Sequence, residues 1–297
     1  MFTRKPLIVT HDAHFHPDDV CAVAVIHLLL NGRYRIVRTR DESTIARAHY
    51  VLDVGGIYDA TQNRFDHHQK GGAGMRENGI PYATFGLVWK AYGAQICGSR
   101  EIADEIDEKF VASIDAMDNG VEIAKPVYRD TPPYYFADFL FDCNPGWGEK
   151  TDFDTCFHNA LAVAVKTLSR EIQRSRANME GRKFVERAYQ ESVDKRIITI
   201  DGDYPWRKVL MHHPEPLFII KPRANSGWDA KAVPTAPQSF ENRAQFPREW
   251  AGLSDSALAS VTGVPDAVFC HNGGFMVIAK SREGALALAK KALEMQS

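Results

Sequence analysis

The sequence predicts an α/β protein with a mainly parallel sheet in its N-terminal domain, a helical connection and a smaller α/β C-terminal domain. Three observations carry this. Pro6 to Gly56 alternates short apolar runs with helical segments in the order strand, helix, strand, helix, strand, which is the order that builds a parallel sheet. Phe153 to Ser192 is a long, mostly uninterrupted helical stretch, and a second set of strands follows it. His11, Asp53 and Asp66 to His68 all fall just past predicted strands, at the carboxyl ends where open parallel sheets bind ligands.

In chain order, Pro6 to Thr10 is apolar and β-branched and suits a buried strand. After the histidine-rich loop, Asp18 to Leu30 reads as a buried helix, with Asp18 or Asp19 as N-cap and Asn31-Gly32 as its stop. Tyr34 to Thr39 is a strand, Asp41 to Ala48 a short helix, and Tyr50 to Gly56 a strand ending in glycine. Asn63-Arg64-Phe65 alternates like a strand and runs through Asp66-His67-His68 into a glycine-rich loop. Helices are expected over Tyr82 to Tyr92 and Ser99 to Asp118, the latter closed by Asn119-Gly120. Pro132-Pro133 and Asn144-Pro145-Gly146 punctuate the end of the first domain. Strands at Arg196 to Ile200, Leu217 to Lys221, Trp228 to Val233, Ala267 to Cys270 and Phe275 to Ala279, with a helix over Arg282 to Met295, make the second unit. The expected domains are 1–148, a connector 149–195, and 196–297.

Composition narrows the function. The 297 residues, 44% hydrophobic and 25% charged, are globular values with room for two cores, and no segment has the apolar length of a membrane span. The chain opens without an apolar or Arg/Ser-rich leader, so the expected location is cytoplasmic. Five widely spaced cysteines suggest buried thiols rather than a disulfide framework or zinc knuckle. A net charge of −2 argues against coating nucleic acid by bulk electrostatics, so a nucleic-acid substrate needs a local site.

Taken alone, Asp66-His67-His68 fits a surface loop as well as a metal site. The second cluster, His11 to Asp19, and Asp53 between them favour metal. Asp115 and Asp118 lie on one face of a helix end, where acidic side chains oppose the dipole and need a cation or hydrogen bonds. If His11, His16, Asp18, Asp53, His67 and Asp118 are ligands, two divalent ions and three carboxylates leave a net +1, which attracts phosphate. Imidazole and carboxylate donors suit manganese, magnesium, cobalt or zinc, and a pair of such ions suits phosphoryl transfer.

These residues carry a resemblance. Asp66-His67-His68 resembles the signature of the DHH phosphoesterase superfamily, and Thr10 to Asp19 with Leu52 to Tyr58 is similar to its melanocyte-proliferating-gene branch. Asp115 to Gly120, Ala232-Val233-Pro234, Ser239 to Arg243, Trp250 to Leu253 and Arg282 to Ala285 extend it over nearly the whole chain. The resemblance implies a metal-dependent phosphodiester hydrolase like the 3′-to-5′ exoribonucleases, in which water activated by two metals, with manganese the expected ion, attacks a phosphate of RNA or a short oligonucleotide. By the superfamily pattern His11, His16 and Asp53 hold one ion and Asp18, His67 and Asp118 the other, Asp53 bridging and Asp115 an alternative to Asp118. His68 then contacts phosphate or protonates the leaving oxygen, and Asp66 orients a histidine. His16 stands where most of the superfamily has aspartate, which bears on ion preference.

In the second domain Lys221, Arg223, Lys231, Arg243 and Arg248, with Trp228, Phe240, Trp250 and Phe275, offer phosphate contacts and base stacking, and Arg243 and His271 are the two chosen as substrate contacts. A phosphatase or pyrophosphatase acting on a small substrate is the alternative activity, and a non-catalytic, metal-stabilised binding protein the weaker one.

Overall fold

The computed structural model describes residues 5–128, 130–236 and 239–295; residues 1–4, on which the reading of the N-terminus partly rests, lie outside these. The chain divides into two compact units, Met1–Arg176 and Ala177–Ser297.

The first unit runs β1 (Leu7–Thr10), α1 (Pro17–Leu29), β2 (Arg35–Arg38), α2 (Glu42–Ala46), β3 (Tyr50–Leu52), β4 (Tyr58–Asp59) and β5 (Arg64–Phe65). The five strands pair in the order β2-β1-β3-β5-β4, and every pair is parallel except β4 with β5. The chain leaves β1 toward β2 on one side and β3 on the other, so β1/β3 is the switch point of the sheet. Val9 pairs with Val51 and Leu52 with Phe65, which brings the ends of β1, β3 and β5 level.

Helices α3 (Thr84–Cys97), α4 (Arg100–Ile106), α5 (Ala112–Asp118), α6 (Phe136–Phe141) and α7 (Phe153–Glu191) follow, with a π-helical turn, Asp107–Val111, between α4 and α5. Val20 to Ile26 of α1 are all fully or almost fully buried, as a helix apolar on every side requires. The helix starts one residue earlier than its aspartates suggest. Its N-cap is His16, Pro17 takes the first turn where no N–H is needed, and Asp19 closes a capping box by accepting from the His16 backbone N–H at 3.2 Å.

The second unit contains β6 (Ile197–Thr199), α8 (Trp206–Leu210), β7 (Phe218–Pro222), β8 (Trp228–Ala232), α9 (Asp255–Thr262), β9 (Ala267–Cys270), β10 (Met276–Ala279) and α10 (Arg282–Glu294). Its sheet order is β6-β7-β8-β10-β9, parallel only at β6/β7. Ala285, Leu288, Ala289 and Ala292 of α10 bury one face of this sheet through Phe218, Ile220 and Val277. Trp250, counted in the sequence among aromatics that could stack on bases, is 1% exposed and belongs to that core. Among the described residues no helix is long and apolar enough to cross a membrane.

Candidate metal centre

Each of three parallel strands hands over directly to a predicted site residue: β1 to His11, β3 to Asp53 and β5 to Asp66. The loop from His11 to His16 is held from outside. Asn144 donates to the Phe15 carbonyl at 2.9 Å and accepts from the Phe15 N–H at 3.1 Å, Arg38 donates to the Ala13 carbonyl at 2.6 Å, and the Phe15 ring is buried edge-on against Phe157. Ala13 takes a left-handed φ of 62°, which lets so short a loop turn back.

Three groupings converge: His11, His16 and Asp53; Asp53, His67 and His68; and His16, Asp18 and Asp118, each with one donor atom per residue within 4.8 Å of the others. Asp53 and His16 are each shared by two of them. Within ion-pair range, His11 Nε2 lies 3.2 Å from Asp19 Oδ2 and 3.3 Å from Asp53 Oδ2, while His67 Nε2 lies 3.1 Å from Asp118 Oδ2 and 3.5 Å from Asp53 Oδ1. Yet His11 Nε2, Asp18 Oδ1, Asp53 Oδ2 and His67 Nε2 are buried and close no well-directed hydrogen bond. Burying such atoms unsatisfied is costly, and divalent cations bound among the groupings would satisfy them. The donor set therefore fits metal.

The electrostatics are those of a site waiting for positive charge. Asp18 is pushed well above the usual carboxylate range by burial and by the like charges of Asp53 and Asp118. Burial raises Asp19 to about 7 in spite of His11 beside it. Burial would raise Asp53 as well, but the histidines His11 and His67 outweigh it and hold the carboxylate well below its ordinary value. Burial would lower His67, but Asp118 and Asp53 overcome it and raise the imidazole to about 10. Burial keeps His16 below its ordinary value, suited to a neutral ligand.

The raised imidazole of His67 has a testable consequence for metal binding. Metal ligation requires a neutral imidazole, so binding of Mn²⁺ at neutral pH is expected to release protons, and affinity to rise with pH up to about 10. Calorimetric titrations in buffers of different ionisation enthalpy read this directly, and an apparent enthalpy independent of buffer would remove His67 from the ligands. Because the folded His67 is raised above 6.5, its stabilisation of the metal-free fold is complete below that pH and is lost as pH climbs through about 10.

Other side chains complete the centre. Thr84, at the start of α3, donates its hydroxyl to Asp53 Oδ1 at 2.9 Å and its backbone N–H to Asp18 Oδ2 at 3.2 Å. Helix α3 has alanine at its N-cap, and its free N–H groups are met by carboxylates of other helices: Asp18 at Thr84 and Asp115 at Gly86, 3.0 Å. Asp115 also pairs with Arg76 at 2.8 Å, and Arg76 with Asp107 at 2.7 Å. Of the two acidic residues on α5, the structure thus brings Asp118 to the metal groupings and sets Asp115 in a buried ion pair. Asp66 accepts from His68 Nδ1 and the His68 N–H, both at 2.9 Å, and from the Gly56 N–H at 2.6 Å. His68 itself is largely exposed, its side chain at 59%. His14 instead packs edge-on against Phe153.

In the second unit, Arg243 has its guanidinium committed to backbone. It donates to the carbonyls of His213 at 2.6 Å, Pro216 at 3.2 Å and Met211 at 3.5 Å, which fastens the segment between α8 and β7. The structure thus places the guanidinium named from the sequence as a substrate contact against three backbone carbonyls. His271 follows β9, half-buried, with its ring 4.2 Å from that of Phe275 and Nδ1 accepting from the Gly273 N–H at 3.0 Å.

A mainly parallel sheet with imidazole and carboxylate donors gathered past the carboxyl ends of its inner strands defines an α/β protein with a candidate metal centre. The profile of the MYG1_exonuc family, described as an uncharacterised protein family (UPF0160), matches residues 7–293. The chain is 32% identical to the MYG1 exonuclease of Homo sapiens, over 98% of its own length and 87% of the relative's. A MYG1 protein of Caenorhabditis elegans is likewise 32% identical over 97% and 95% of the two chains, and one of Chlamydia pneumoniae 29% over 93% and 92%. The chain belongs to the MYG1 family.

Proposed function

We propose that this protein is a metal-dependent phosphodiester hydrolase that removes nucleotides from the end of RNA or short oligonucleotides, in keeping with the exonuclease names of its relatives and with a place in the DHH superfamily. The observation that carries the reading is the convergence of buried, unsatisfied histidine and aspartate atoms on Asp53. In it His11, His16 and Asp53 hold one divalent ion and Asp18, His67 and Asp118 a second, with manganese the expected metal and magnesium, cobalt or zinc compatible with the donors. Bound ions supply Lewis acidity toward water and neutralise phosphate charge.

The chain's own residues do the rest. Asp53, fixed by Thr84, keeps the two halves of the centre in register. Asp66 ties down Nδ1 of His68, so Nε2 of that exposed ring is the atom free to hold a phosphate oxygen or pass a proton to the leaving group. His271 remains a substrate contact in this reading.

End-labelled RNA and DNA, dinucleotides and pyrophosphate, each incubated with the protein and Mn²⁺, separate exonuclease from small-substrate hydrolase by their products. Two variants test the roles. His67→Ala is expected to lose metal together with activity, whereas His68→Ala keeps its metal and loses rate by roughly 10²- to 10⁴-fold, the range of general acid–base catalysis. Equal metal loss in both variants would contradict the division of labour.

A further inference from the structure

Beside the metal groupings lies a cavity of about 680 Å³, in the size range of small-ligand sites. His11, His16, Asp53 and His68 line one side of it. Ile45, Ala46, Val51, Val54 and Ile57 line another. Ile45, Val51 and Val54 also belong to a small core of this unit, and Ala46 and Ile57 carry that apolar surface out to exposed positions beside the site. Ile57 is 57% exposed, a large apolar side chain kept at the rim of a charged site without a core to explain it.

The wall is built, not incidental. Asp53 and Gly55 take left-handed φ values of 55° and 94°, turning the chain sharply after β3. The turn is then fastened to Asp66, whose Oδ2 accepts from the Gly56 N–H and whose own N–H donates to the Ile57 carbonyl at 3.2 Å. Asp66 Oδ1 holds His68. One carboxylate therefore sets both the apolar wall and the histidine that faces the reacting group. Arg40, Glu42 and Arg64 add charged groups to the lining; Arg40 also bonds Asp12, and Arg64 donates to the carbonyls of Gln62 and Ala48, which fixes their guanidinium planes at the cavity.

We propose that this cavity seats the nucleoside attached to the reacting phosphate, so that the protein selects nucleotidyl over simple phosphate esters. This rests on the phosphodiesterase reading above. The test is equilibrium binding to the Mn²⁺-loaded protein of inorganic phosphate, glycerol phosphate and adenosine 5′-monophosphate. The mononucleotide is expected to bind at least about tenfold more tightly than glycerol phosphate, a difference well within what burying a nucleoside's apolar surface provides. Ile57→Ala removes part of the wall, and Ala46→Trp fills the cavity from an exposed position of α2; neither touches the core of the unit. Each should lower mononucleotide affinity by about fivefold to tenfold and leave inorganic phosphate within about twofold of the parent.

Equal affinity for the mononucleotide and glycerol phosphate, or variants that weaken phosphate and mononucleotide alike, would overturn the proposal while leaving the metal centre standing. Failure of the loaded protein to bind phosphate at all would sink the phosphodiesterase reading and this one with it.

Discussion

Asparagine in place of Asp53 is expected to abolish hydrolysis while leaving the fold intact. Asp53 is the carboxylate common to the groupings around His11 and His67, so its loss opens both halves of the centre. The fall in kcat/KM should exceed the roughly 10- to 100-fold that removing an outer partner of a metal ligand costs. Asparagine is the right replacement because the residue sits at φ 55°, a left-handed conformation that asparagine adopts readily and alanine does not. The amide also keeps an oxygen for the Thr84 hydroxyl. Circular dichroism and metal analysis alongside the assay separate loss of the centre from loss of the fold, and parental activity in this variant would remove the shared carboxylate from the account.

Gly86→Ala should have the largest effect on stability. Gly86 is buried in α3, and a Cβ there would fall onto the Asp115 carboxylate and within 2.6 Å of Arg76 Nη2. Neither partner can move cheaply, since Asp115 is fully buried between the Gly86 N–H and Arg76. The cost is expected to be about 3 kcal/mol or more, comparable to breaking a buried ion pair. It should extend to function, because Asp115 anchors the helix that carries Asp118. Asp118→Asn, by contrast, should lose metal yet, compared as metal-free proteins, melt much closer to the parent than Gly86→Ala, its cost limited to the His67 ion pair. A Gly86→Ala protein that melts with the parent would show that the ion pair has room to step aside.

These two sites mark where the sequence is informative and where it is silent. His11, Asp53 and Asp66 to His68 are legible because each directly follows a run of strand-forming residues, and in a parallel sheet such positions share one edge. Gly86, Arg76 and Thr84 are not, since nothing in their neighbourhood signals partners on other elements; Asp18 meets the Thr84 N–H across 66 residues. The aspartates at the start of α1 illustrate the same limit. Read locally both are candidate N-caps, with Asp18 also a candidate ligand; His16 takes the capping position, Asp18 joins the metal groupings, and Asp19, read only as a cap, closes the box and approaches His11. Burial of both was the available signal: a helix with no polar face that begins with two aspartates must supply partners for them.

Short elements escape for a related reason. Strand β4 has two residues and α8 five, too few for a hydrophobic period to show, and α8 is held in place by Trp206, Val209 and Leu210 packing on β6 and β7 rather than by its own propensity. The bonds of Arg243 to backbone were not legible either, because a cation next to polar residues looks the same in sequence whether it faces ligand or three backbone carbonyls.

The central claim is that six side chains gathered on Asp53 hold two divalent ions and hydrolyse phosphodiesters with them. Its most direct measurement is a Mn²⁺ titration of chelator-stripped protein, followed at once by bound metal per chain and by release of nucleotide from end-labelled RNA. The account predicts two ions per chain in the parent, no hydrolysis before metal is added, activity that rises with the second ion, and failure of Asp53→Asn to take up the pair. Full activity in the stripped protein, or two tightly bound ions in the Asp53→Asn variant, would contradict it.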